Sequence, residues 1–231
     1  MRVGKAARVA RRRGLGRPLH SYRQAFPLWW HLLFVGIVLV IVAAVSLNQT
    51  VPVAGKVAGI SVPLLATGIA WWVLTDVRLV LCEGGLLIGR FFPGMPPYAI
   101  PYRAIEPRGV TCVEDIGRFS RATGRSYGST LFYFPQSRRG ILLDGPTAAQ
   151  AREGSALGGG MFDTAADTVR GGKMWAFAYS GRPEVITAQL QQGLAAQGVP
   201  HAAALQGVAL PERSVGASPQ EARARINGLA R

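Results

Sequence analysis

Two long apolar runs interrupt an otherwise mixed pattern of polar and hydrophobic positions. Leu28–Leu47 reads LWWHLLFVGIVLVIVAAVSL and carries no charge. Twenty helical residues rise about 30 Å, the thickness of a bilayer's hydrocarbon core. The second run, 53–74, holds one charge, Lys56, near its start. A lysine at the bilayer centre costs about 2.5–3.5 kcal/mol, so Lys56 is expected at the outer edge, reaching toward water. The link between the runs is short, around Asn48-Gln49-Thr50. The pattern therefore predicts an antiparallel helical hairpin over 28–74. That arrangement sets Trp29, Trp30, Trp71 and Trp72 at one interface, where an aromatic belt belongs. Gly55 and Gly59 form G-x-x-x-G in the second helix, a candidate packing face beside Ser61, Thr67 and Gly68. Packing against the first helix is the expected use of that face. Pro63 is expected to kink the helix locally.

After the hairpin the period changes to two, the spacing of strands. Segments 79–82 and 86–92 flank Glu83-Gly84-Gly85 and read as a β-hairpin. Five more strands are expected at 98–105, 110–114, 131–134, 141–144 and 174–179. A helix follows, with Pro183 in its first turn and Glu184 at the positive end of its dipole. Its expected apolar stripe is Val185, Ile186, Leu190 and Leu194. The fold class is thus an α+β membrane protein, with a hairpin followed by a half-open β-barrel capped by a C-terminal helix.

The quoted turn Glu83-Gly84-Gly85-Leu86, the strand end Ile100-Pro101-Tyr102-Arg103-Ala104-Ile105 and the step Pro183-Glu184 carry a family likeness. With two preceding apolar helices, they resemble the bacterial PH-like domains found in small membrane proteins of high-GC bacteria. The resemblance covers roughly 28–197. It implies a PH-like β domain and carries over no catalytic residue. Tyr102 stands where that family more often has tryptophan, and 145–172 is a longer insertion.

Charge adds an orientation. The formal net charge is +14, from 26 basic and 12 acidic side chains. Arg2, Lys5, Arg8, Arg11, Arg12, Arg13, Arg17 and Arg23 all precede the first helix, with no acid among them. Under the positive-inside rule this segment stays cytoplasmic, and two spans return the chain to the same side. The expected divisions are a basic segment 1–27, the hairpin 28–74, a cytoplasmic β domain 75–197, and a flexible tail 198–231. The expected location is the bacterial plasma membrane, with both chain ends cytoplasmic. Arg11, Arg12 and Arg13, and a second group at Arg118, Arg121 and Arg125, are candidate contacts for anionic lipid headgroups. Nucleic acid is not an expected partner, because aromatic interleaving and a groove-reading motif are missing. The two cysteines, Cys82 and Cys112, imply buried thiols in a reducing compartment.

Chemistry is sparse. No metal or cofactor motif occurs, and Gly158-Gly159-Gly160 lacks the G-K-[ST] of a phosphate loop. Gly124-Arg125-Ser126-Tyr127-Gly128 matches G-x-S-x-G, and a later aspartate with His201 would complete the hydrolase chain order. That elbow needs a strand before the serine and a helix after it, and the flanking pattern offers neither. In the tail, Ser218-Pro219-Gln220-Glu221 satisfies a capping box, which predicts a short helix over 219–229. The expected function is a non-enzymatic binding or scaffold module for a protein or lipid. The alternatives are an accessory subunit of a larger membrane complex and a tethered serine hydrolase using Ser126.

Overall fold

The computed structural model describes residues 3–50, 52–91, 97–117, 130–132, 137–152 and 174–210. In chain order the first elements are α1 (Val3–Arg12), β1 (Pro18–Arg23), α2 (Leu28–Leu47) and α3 (Val53–Thr75). Four strands follow: β2 (Val77–Cys82), β3 (Gly85–Arg90), β4 (Tyr98–Pro101) and β5 (Glu106–Val113). Next come β6 (Thr130–Phe132), β7 (Gly140–Asp144), α4 (Ala148–Arg152), β8 (Met174–Ala178), α5 (Pro183–Ala196) and β9 (Gln206–Leu210). The chain divides into two compact units, Phe26–Asp76 and the remainder.

The apolar unit is the expected antiparallel hairpin. Its helices have mean hydropathy 2.6 and 1.8, long and apolar enough to cross a membrane, and 6% of each span is buried within the protein. A core helix of a soluble domain buries far more of such a surface, whereas Leu39, Val40 and Leu65 here stay exposed. Asn48 closes the link by accepting hydrogen bonds from the Thr50 N–H (3.1 Å) and Thr50 hydroxyl (2.7 Å). Lys56 Nζ reaches back to the Ser46 carbonyl at 3.1 Å, which puts its charge at the linked end of the hairpin. At the other end the rings meet. Trp29 stacks on Trp30 with centroids 4.4 Å apart, and Trp71 lies 5.1 Å from His31 and 5.5 Å from Phe34. A Cβ built on Gly59 would meet Val45 of the first helix at 3.4 Å, so this glycine faces its own hairpin partner.

The second unit is built on two open sheets, ordered β1-β2-β3-β4 and β6-β8-β7-β5-β9. Neither sheet closes into a barrel among the described residues. Strands β2 and β3 are apolar at nearly every position because both faces are covered. Leu79, Leu81, Leu86 and Ile88 face a central core shared with Val110, Ile141, Trp175 and Phe177 of the second sheet. Val80, Cys82 and Leu87 point the other way, onto Ala6, Ala10 and Leu15. Helix α5 closes the core through Ile186, Thr187, Leu190 and Leu194. Val185, expected on that stripe, is 46% exposed. It sits one residue from Ile186, a 100° step that turns it off the buried face.

Three segments differ from the sequence expectation. The basic N-terminal segment supplies α1 and β1, and β1 pairs antiparallel with β2 through Ser21↔Val80 and Arg23↔Arg78. The expected strand 98–105 ends at Pro101, where the chain turns into a 3-10 segment, Tyr102–Ala104. The Tyr102 hydroxyl then donates to the Cys82 carbonyl at 2.9 Å, and its ring is fully buried. After Gln197, expected to be the start of a flexible tail, the chain continues through a 3-10 segment at Ala202–Ala204 into β9, which runs parallel to β5. The proposed helix over 219–229 lies outside the described residues.

Candidate functional site

Helix α1 is short and basic, yet it is docked. Ala6 and Ala10, one turn apart, are buried against the outer face of the first sheet, while Arg8, Arg11 and Arg12 stay exposed. Residues at i, i+3 and i+4 share a helical face, so these three arginines form one cationic stripe directed outward. The helix stops by a defined device. Leu15 N–H bonds to the Ala10 carbonyl (2.9 Å) and Gly14 N–H to that of Arg11 (3.1 Å), with Gly14 at φ +67°. This is a Schellman ending, which needs a left-handed residue that glycine adopts at little cost, and Leu15 beside Ala10 supplies the usual apolar contact. The same arrangement ends α5, where Val199 N–H reaches Leu194 (3.0 Å) past Gly198 at φ +66°.

Of the three arginines singled out from the sequence, two thus remain free to meet a ligand by exposure. Arg13 is half-buried and donates to the Arg152 carbonyl at 3.3 Å, tying α1 to α4. Arg17 holds the β2–β3 turn. Its backbone N–H and its Nε reach the two Glu83 oxygens at 3.0 and 2.9 Å. Those hydrogen bonds, the backbone one first, hold the Glu83 carboxyl below the usual carboxylate range. Arg23 and Arg78 are register partners, and side-chain alternation puts Arg78 on the same face as Val80 and Cys82, the face that carries α1. Arg118, Arg121 and Arg125 lie outside the described residues, as does Ser126.

A second feature was not legible in the sequence. Strands β5, β7 and β8 end at one level, with Val113 opposite Gly140 and Gly140 opposite Ala178. The residues just beyond these ends, Glu114, Asp115, Arg138, Arg139 and Tyr179, line a cleft of about 720 Å³. Ala25 forms part of its wall, and its N–H donates to the Ala178 carbonyl at 3.0 Å. Tyr22 anchors the adjoining strand by donating its hydroxyl to Gln189 Oε1 of α5 and by an edge contact with Tyr179, centroids 5.3 Å apart.

Reactive chemistry is muted. Both thiols are buried, and desolvation pushes Cys82 up to about 12 and Cys112 to about 11, so neither is a thiolate near neutral pH. Among the described residues no group of three or more His, Cys, Asp or Glu side chains is placed to hold a metal ion. His201 is exposed in a left-handed conformation at φ 59°. No known protein family, curated protein or solved structure matches the chain.

Proposed function

We propose that the protein is a non-enzymatic integral membrane protein of the bacterial plasma membrane whose cytoplasmic β domain, PH-like in architecture, is a binding or scaffold module. One observation carries this reading. The strands that flank the apolar hairpin, β1 and β2, pair with each other, so the chain leaves the sheet at Arg23 and returns to it at Arg78. A hairpin inserted between paired strands requires both flanking segments to be on one side of whatever the hairpin crosses. The excess of arginine before the first span selects the cytoplasm for that side. The stripe Arg8, Arg11 and Arg12, with Arg23 and Arg78, then favours contact with anionic headgroups, each near-surface cation contributing about 1 kcal/mol. Alkaline carbonate washing of membranes, combined with a reporter fused at Arg231, tests the proposal. Retention in the pellet with a cytoplasmic reporter supports it, and release from the membrane or an external reporter refutes it.

A further inference from the structure

We infer that α1 reads the surface charge of an anionic phospholipid bilayer while it stays docked on the sheet, without inserting and without distinguishing one headgroup from another. The inference deepens the proposed lipid contact and rests on the reading that the hairpin spans the membrane. Helical residues advance about 100° each, so Arg8, Arg11 and Arg12 share one face and Ala6 and Ala10 lie nearly opposite it. The arginines are exposed, whereas Ala6 and Ala10 are buried with Val80, Cys82, Leu87 and Phe91 of the β domain. The first acidic residue of the chain is Asp76, so the only charges on α1 and β1 are positive.

A helix that inserts at a bilayer interface does so through its apolar face, sunk about 5–10 Å into the headgroup boundary. In α1 the sheet already occupies that face. Hydrogen bonds hold the segment in place: Lys5 Nζ donates to the Phe91 carbonyl at 2.7 Å, Arg13 to the Arg152 carbonyl at 3.3 Å, and the Gly84 N–H to the Leu15 carbonyl at 2.9 Å. Undocking would uncover Val80, Cys82, Leu87 and Phe91, all of them buried. What α1 offers a membrane is therefore charge. Coulombic attraction depends on charge and distance and requires no particular headgroup shape. The hairpin is joined to this unit through β1, and a tether in the bilayer keeps the stripe at high effective concentration beside lipid. Weak contacts then suffice.

The test uses the full chain in nanodiscs of phosphatidylcholine alone, or with equal mole fractions of phosphatidylglycerol or phosphatidylserine. Gly4 lies on the arginine face one turn before Arg8, and a Cβ there meets nothing within 4 Å, so Gly4→Cys carries a fluorophore. Cys82 and Cys112 are buried and leave that label specific. Trace lipids bear a nitroxide quencher either on the headgroup or deep in the acyl chain. Both anionic lipids are expected to raise quenching from the headgroup equally, with none from the acyl chain. Raising the salt from 0.01 to 1 M, which shortens the screening length from about 30 to about 3 Å, is expected to abolish it. The triple change of Arg8, Arg11 and Arg12 to Gln should lower the ratio of contacting to free stripe at least about ten-fold, and the same triple change to Lys should retain it. Preference for one anionic headgroup, acyl-chain quenching, insensitivity to salt, or failure of the Lys variant each overturns the inference. A chain that enters nanodiscs yet shows no charge-dependent quenching overturns it alone. A chain that does not enter them refutes the spanning reading and the inference with it.

Discussion

Gly193 shows how a single site reverses a general rule. Alanine in a helix interior is ordinarily about 0.8–1.0 kcal/mol better than glycine. A Cβ at Gly193 of α5, however, would lie 2.7 Å from Cε2, Cζ and the hydroxyl of Tyr102, whose ring is buried and held by Cys82. The ring has nowhere to move, so Gly193→Ala is expected to destabilise the β domain by about 1–3 kcal/mol, as overpacking does. Urea unfolding of the detergent-solubilised protein measures it, and a stabilised variant would remove the Tyr102–α5 contact from the account. Glu83 gives a pH dependence of known sign. Its carboxyl is held below its ordinary value of about 4.3, so it binds protons more readily unfolded than folded. Its contribution is complete above that ordinary value and is lost as the pH falls through the lowered native one. Acid unfolding curves should therefore draw together for the wild type and Glu83→Gln as the pH drops, with the wild type ahead only at the upper end.

At the scale of elements, α1 and β1 are the unexpected part of the fold. Ala10 is fully buried against the first sheet, so Ala10→Asp places a carboxylate among Val80, Cys82 and Leu87. The cost of burying it exceeds what a ten-residue helix gains by docking, and α1 is expected to detach. Faster tryptic cleavage at Arg11–Arg13, with the rest of the unit intact, is the anticipated result. The apolar helices offer a paired comparison. Gly59 faces Val45 while a Cβ at Gly68 meets nothing within 4 Å, so Gly59→Leu should loosen the hairpin and Gly68→Leu should not. Thermal unfolding in micelles separates the two. The apolar helices, strands β2, β3, β7 and β8 and helix α5 were legible because each carries an uninterrupted apolar period. β1 was not, since PLHSYR buries one side chain, Tyr22, and finds its partner only across the intervening hairpin. The signals that were present are short. Gly14-Leu15 after an arginine run and Gly198-Val199 after α5 both encode Schellman stops, and the first of these closes α1, a helix that the sequence reading of the basic segment did not include. The cleft had no sequence signal at all, because register alone gathers Glu114, Arg138 and Tyr179.

For the whole molecule, the pairing of β1 with β2 converts a local hydrogen-bond pattern into a statement about sidedness. The N-terminal segment completes the sheet that follows the hairpin. The domain can therefore finish folding only when both segments have stayed on the same side. In the proposed topology, charge selects the side and sheet register joins the two segments on it. Scanning with single cysteines tests this most directly. Cys82 and Cys112 are buried and contribute little background, while Ser21, Asn48 and Gln192 are exposed on β1, the hairpin link and α5. In intact cells a membrane-impermeant maleimide is expected to label Asn48→Cys, and to label Ser21→Cys and Gln192→Cys only after permeabilisation. Labelling of Ser21→Cys or Gln192→Cys in intact cells, or protection of Asn48→Cys, would contradict a hairpin that crosses the membrane from a cytoplasmic sheet.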